Sequence, residues 1–474
     1  MMINVIKSMG YTLSIVTILG ACQTKSIEAI VESPLSEQKQ SNSLRAVNPV
    51  EFNTIATLAT NAVIPIADLK PTGGSLAGNP ILVDNMPEII ESEGWLMAPP
   101  QINGNKQAVT GDTEYYTFHY NRTNVAGYYV LLASNPVRNE AITINAQGVL
   151  LAKDDVGVFT FPNTDYVIEK ESYEVADRFI NNNFNVNTGN LSIPFLGSGQ
   201  SNAKVLAYRK VGNGNGIDGR FKMKITGQAY IYSVFVIQKS GETIDKMLQR
   251  AIQMATTDTG SMADIAKRAK GEWLDKFGYI VETFSGNTPV NTPAGRYGRE
   301  CGLYQKSGWL INNDITLPAT KGFLGFCMIN DRKTVNYPED QTAPNTALTL
   351  VDARRYPAIK DFSNATRSYG NYGHYYDVTL KFINTQARTR NMAISFAFNT
   401  PDASKQNARF VGAMKVKVGT NNETTVPVMV RLNDPRKNLA SFTVGANTSQ
   451  TVKIRFYVPG LITAGNQLIV EALN

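Results

Sequence analysis

The sequence predicts a mainly β protein: two tandem antiparallel β-sandwich-like domains joined by a short helical connector. Three observations carry this. Short runs of alternating apolar and polar residues are bounded by Gly, Asn and Pro, the mark of half-buried strands. The chain holds 37 Gly, 21 Pro and 44 Asn, so it turns often. Of its 474 residues 43% are hydrophobic and only 18% charged, which supplies a sizeable core and excludes a mainly disordered chain.

The first element is an address. Lys7 gives a positive start, Met9–Leu19 an apolar run, and Leu19-Gly20-Ala21-Cys22 a small-residue close. Such a run is a secretory signal, too short to span a bilayer. A Cys placed after small residues resembles the lipobox of bacterial lipoproteins. That resemblance implies cleavage after residue 21, acylation of Cys22 by chains such as palmitate, and anchoring at about 0.8 kcal/mol per buried methylene. By resemblance to enterobacterial sorting, Gln23 in place of Asp implies the outer membrane. Residues 22–48 are polar and low in aromatics, a flexible tether of about 28 Å.

Strands follow over residues 49–241, an expected N-terminal β domain. The clearest are Tyr128–Ala133, Ala141–Ile144, Lys204–Tyr208, Phe221–Ile225 and Gln228–Gln238. Residues 242–277 change period: Ile244, Met247, Leu248, Ala251 and Ile252 fall on one helical stripe, and Ser261 is placed to cap a second helix. Residues 278–474 return to strands, an expected C-terminal β-sandwich, with Tyr376–Ile383, Met392–Phe398, Phe410–Val418, Val426–Leu432, Thr451–Val458 and Gln467–Ala472. An internal echo supports two related halves. Tyr129–Ile144 and Tyr376–Phe396 are each a strand ending in Asn (Asn135, Asn384), a polar turn and a second strand.

Chemistry is sparse. Two His and three Cys exclude the commoner zinc clusters, haem chains and iron–sulfur sites, and no cofactor is expected. His119 (in YYTFHYN) and His374 (in YGNYGHYYD) are expected to be packed by tyrosines rather than to serve as bases. Asp154 with Asp155, Glu169 with Glu171, and Asp331 with Asp340 are the candidate carboxylate pairs for glycan hydrolysis. Val211–Arg220 faintly resembles a calcium loop through Asn213, Asn215 and Asp218, but a Gly-rich hairpin turn accounts for it without metal. Cys301 and Cys327 are candidates for a disulfide in an oxidising compartment, closing a loop of about 26 residues worth about 3 kcal/mol, or else for two buried thiols. The net charge of +7 is scattered without basic runs, so nucleic acid is not an expected partner. The most distinctive polar–aromatic clusters contain Arg296, Tyr297 and Arg299, and Tyr369, Asn371, Tyr372 and His374. Tyr faces, Asn amides and Arg forks suit binding to a glycan or protein, and Tyr covering a sheet end is the plainer alternative.

Tyr297-Gly298-Arg299, Gly308-Trp309, Tyr369-Gly370-Asn371-Tyr372-Gly373 and Phe410-Val411-Gly412, with Asn85–Gly94 upstream, occur in an order that resembles the bacterial exported domain-of-unknown-function family numbered 3370, abundant in cyanobacteria. The resemblance runs from about residue 80 to the end and implies fold and export. It carries no catalytic residues, and where a paired-His segment is expected only His119 stands. The functional expectation is a non-catalytic, lipid-anchored envelope or surface protein that binds a protein or glycan. The alternatives are a glycan hydrolase using paired carboxylates and a self-assembling surface or fibre subunit.

Overall fold

The computed structural model describes residues 58, 62–64, 69–70, 74–85, 89–99, 101–102, 105–106, 108–160, 167–256, 301–329, 335–336, 351–352, 359–360, 367–368, 371–398, 409–431, 434–459 and 466–474. The described strands belong to one compact unit, Asn48–Asn474. Residues 1–48, with the expected signal, Cys22 and tether, lie outside them, as does Ser261. Among the described residues no helix is long and apolar enough to cross a membrane.

The fold is mainly β. The first part contributes β1 (Ser75–Ala77), β2 (Ile81–Asp84), β3 (Gly94–Met97), β4 (Val109–Asn121), β5 (Gly127–Ser134), β6 (Ile142–Ala152), β7 (Leu191–Ile193), β8 (Ala203–Val211) and β9 (Gly216–Val236). Beyond residue 300 come β10 (Cys301–Tyr304), β11 (Gly308–Thr316), β12 (Gly322–Ile329), β13 (Tyr375–Ile383), β14 (Arg390–Phe398), β15 (Arg409–Val418), β16 (Thr424–Arg431), β17 (Lys437–Val444), β18 (Ser449–Tyr457) and β19 (Asn466–Ala472). The helices used below are α1 (Glu171–Ile180) and α2 (Ile244–Thr256).

In the first sandwich one layer runs β6-β9-β4-β2-β10, with β7 also on β6. The other runs β8-β5-β9-β3. Strand β9 serves both. Gly216–Thr226 pairs with β4 and β6, the register breaks between Ile225 and Ala229, and Tyr230–Val236 pairs with β5 and β3. Gly227 sits in that break at φ +90, a conformation open to glycine, and turns the strand from one layer into the other. Between the layers lie Leu82, Trp95, Tyr115, Tyr129, Leu131, Ile144, Phe221 and Phe235. The stripe of α2 docks on this core, with Met247 and Ala251 fully buried.

In the second sandwich a six-stranded sheet runs β1-β11-β13-β18-β15-β16 and a four-stranded sheet β12-β19-β14-β17. Their core includes Trp309, Tyr376, Phe396, Phe410 and Phe456. Strands are exchanged between the halves: β1 pairs with β11, and β10 with β2. Parallel pairs break the expected antiparallel rule, among them β2 with β4 and β11 with β13. Each parallel pair is joined through a connection long enough to cross over. The hairpin expected around Val211–Arg220 is also absent. A turn is present, with Gly214 at φ +74, but β8 and β9 both pair with β5 rather than with each other.

Buried asparagines tie strand ends. Asn384 donates from Nδ2 to the carbonyls of Arg388 (2.8 Å), Val444 (3.1 Å) and Gly445 (2.8 Å), and its Oδ1 accepts from the N–H of Gln386 (3.0 Å). Asn135 makes the same kind of knot, with the carbonyls of Glu140 and Ile193 and the N–H of Val137. Asn121 is the closer match to Asn384: it holds Val125, Val211 and Gly212 carbonyls and the Thr123 N–H. An amide supplies both two donors and an acceptor, which apolar side chains of similar size cannot. Asn384→Ala is expected to lower the unfolding free energy in urea titration by about 3 kcal/mol, since three carbonyls lose a donor; a loss under about 1 kcal/mol would show the knot to be dispensable.

Candidate functional site

Both histidines are fully buried. His119, on β4, places Nε2 3.1 Å from Oδ1 of Asp84 on β2. The other Asp84 oxygen accepts from Tyr115 (2.6 Å), Ser233 (2.5 Å), Tyr129 (3.1 Å) and Thr117 (3.3 Å). Burial alone would push the Asp84 carboxyl up; the His119 charge and the hydrogen bonds from His119, Ser233 and Tyr115 outweigh it and hold the carboxyl below 3.8. Burial also raises the Tyr115 and Tyr129 phenols well above 10, with the Asp84 charge beside them. Ser, His and Asp thus meet, but in a solvent-free core, and the serine is bonded to the aspartate rather than aligned on the histidine. The cluster fastens β2, β4, β5 and β9 together.

His374 precedes β13. Its Nδ1 lies 3.1 Å from the Tyr372 carbonyl and its ring stands edge-on to Tyr304 at 5.6 Å. Asn371, also fully buried, takes φ +52 and donates to the Tyr376 hydroxyl at 2.9 Å. Gly373 lets this turn press on Tyr116, because a Cβ there would collide with that ring. Asn371 and His374 are thus buried in the interior, and Tyr372 is half-buried. Arg296, Tyr297, Arg299 and Tyr369 lie outside the described residues.

The carboxylate pairs resolve into structural roles where they are described. Asp155 caps the Ala152 N–H and pairs with Arg209, and Asp154 holds Gly212 and Asn215 in the turn after β8. Glu171 is buried at the start of α1, with Ser172 donating to Asp218 at 2.8 Å. The Glu169 side chain, Asp331 and Asp340 lie outside the described residues. Cys301 opens β10 in the first sandwich and Cys327 lies on β12 in the second, and both side chains fall outside the described set. Among the described residues no three His, Cys, Asp or Glu side chains gather as a metal site.

One concave site among the described residues lies where the two cores meet, a cleft of about 390 Å³. Sheet register builds one wall. Gly308, Tyr375 and Tyr457 stand in one row across β11, β13 and β18, and Leu310, Asp377 and Arg455 stand two residues on, hence on the same outward face. Gly308 keeps the row open, since a Cβ would come 2.7 Å from the Tyr375 carbonyl oxygen. The rings of Tyr375 and Tyr457 lie 4.8 Å apart. The opposite wall comes from Glu114 and Lys222, paired across β4 and β9, and from Phe179 and Asn182 at the end of α1.

Polar contacts weld the walls. Arg220 donates to Glu114 at 2.8 Å, Ser307 donates to its other oxygen at 2.8 Å, and the Arg220 guanidinium lies 3.7 Å above the Tyr457 ring. Asp377 pairs with Lys453 at 3.0 Å and Arg455 with Glu423 at 3.0 Å. Burial pushes the Tyr375 phenol up to about 12, helped by the Asp377 charge. Sequence reasoning missed Glu114, Lys222, Asp377, Arg455 and Tyr457 as site residues. The spacing of Tyr375 and Asp377 on one strand face was the available signal; the facing wall had none.

The buried histidine makes a pH prediction. Burial, then the nearby Arg220 charge, push His374 down to about 3 from its ordinary 6.5. Between those values the unfolded chain binds the extra proton, so stability falls as pH falls from about 6.5 toward 3. Urea midpoints at pH 7, 5.5 and 4 are expected to decline, and His374→Gln to flatten that decline; an unchanged slope in the variant would count against the assignment.

No family model matches the chain, and no curated protein does. Among solved structures it is similar to tripeptidyl peptidase 2, with a TM-score of 0.18 and 9% identity over 82% of this chain and 24% of that one. It is also similar to the mosquito-larvicidal Cry4Aa toxin from Bacillus thuringiensis, with a TM-score of 0.15 and 8% identity over 77% of this chain and 58% of that one. The chain thus spans about a quarter of the length of the peptidase.

Proposed function

We propose that this is an exported, lipid-anchored envelope protein that binds a saccharide in the cleft between its two sandwiches. The signal-like run ending at Cys22 supports export and anchoring at the outer membrane. The exported family numbered 3370, which the sequence resembles, supports the same address. The observation that carries the binding reading is the cleft itself: the half-buried Tyr375 ring, backed by Tyr457, beside Glu114, Asp377, Arg455 and Lys222. Aromatic faces stack on the apolar faces of sugar rings, and charged groups in hydrogen-bonding reach take the hydroxyls. The volume falls within the range of small-ligand sites.

The hydrolase alternative needs two carboxylates free to act on one bond. Glu114 and Asp377 share the cleft, yet Arg220 holds one and Lys453 the other. They are set to accept hydroxyls rather than to work as an acid–base pair. Calorimetric titration of the purified protein against a panel of envelope and plant oligosaccharides is expected to give one-site binding, weakened about tenfold by Tyr375→Ala. Release of new reducing ends would favour the hydrolase, and particles or filaments in electron microscopy the assembly subunit. Absence of binding across the panel would overturn the saccharide reading.

A further inference from the structure

Resting on that reading, we infer that the saccharide taken by the cleft is an acidic one, carrying a carboxylate that Lys222 recognises. The charges of the lining lead there. Glu114 is answered by Arg220, Asp377 by Lys453, and Arg455 by Glu423. Glu423 is moreover shared, with Lys415 3.5 Å from its second oxygen. Lys222 alone of the charged lining side chains has no acid partner among the described residues. Its Nζ meets only a neutral amide oxygen, Asn182 Oδ1, at 3.3 Å.

The setting of Lys222 holds an ammonium in place without neutralising it. The chain is exposed at the mouth, and its Nζ lies 5.3 Å from the Phe179 ring centre and 5.9 Å from that of Phe184. Aromatic faces attract a cation and fix its stem without cancelling its charge. A ligand seated on Tyr375 shares the cleft with this ammonium, because both side chains line it. A neutral sugar leaves the charge unanswered. A uronic acid or other carboxylate-bearing sugar supplies a charge-assisted hydrogen bond there. The chain's net charge of +7 draws such a ligand in from solution.

The test uses a matched pair of probes, trigalacturonic acid and its fully methyl-esterified, neutral form, titrated calorimetrically into the full chain and into Lys222→Gln. The free acid is expected to bind about five- to tenfold tighter than the ester, with a preference that shrinks as salt is raised. Lys222→Gln, at an exposed position, is expected to keep the melting temperature and to erase the preference, by weakening binding of the free acid far more than binding of the ester. Equal binding of the two probes, or a preference that survives in the variant, overturns the acidic assignment and leaves the saccharide reading standing. Failure of both probes, together with a blank oligosaccharide panel, brings down the saccharide reading and the acidic assignment with it.

Discussion

The two cores are organised around one strand segment, Tyr115–His119 of β4, that has no solvent face. Along β4, Tyr115 turns into the first core and Tyr116 into the second; Phe118 follows Tyr116, while Thr117 and His119 turn toward Asp84. Strand β2 does the same, with Leu82 in one core and Ile81 and Val83 in the other. A period-2 strand buried on both sides must carry a usable side chain at every position. A one-residue slip would swap the two sets and send Glu114 into the first core. The Asp84 cluster pins the register against that slip. Its carboxylate has acceptor sites for one imidazole and several hydroxyls only where the four strands are aligned as they are.

The cleft is a consequence of this shared sheet. Because β4 and β9 present Glu114, Arg220 and Lys222 toward the second sandwich, polar groups end up at the rim of an apolar seam. Arg220 is almost fully buried, and a lone guanidinium there would be costly. Glu114 and the Tyr457 face together compensate it, and Ser307 shares the carboxylate from the other side. The contacts that join the halves are thus the same ones that shape the site.

Much of the fold could be read from the sequence because it rests on local pattern. The alternation in Tyr128–Ala133 and Phe410–Val418 marks real strands, the stripe of α2 marks a real helix, and Asn135 and Asn384 mark real strand-end knots. Both histidines are packed among tyrosines, as their flanks imply. What stayed hidden depends on partners distant in sequence. For the turn at Asn371–His374 the sequence left open a binding loop or tyrosines covering a sheet end; Gly373 packs against the Tyr116 ring, more than 250 positions upstream, a contact that no local pattern signals. Asp84 carries no local mark, since its partners lie on three other strands. The β8–β9 hairpin failed because β5 inserts between the two strands. The cleft joins a row on one sheet to a pair on another, a juxtaposition that no window of sequence contains.

The most direct test is a crystal structure of the protein soaked with trigalacturonic acid. A sugar ring over Tyr375, with a carboxylate within about 4 Å of Lys222 Nζ, is the result this account predicts. An empty cleft with the sugar seated elsewhere, for instance in the open groove lined by Asn421, Ser441 and Thr451, would contradict it.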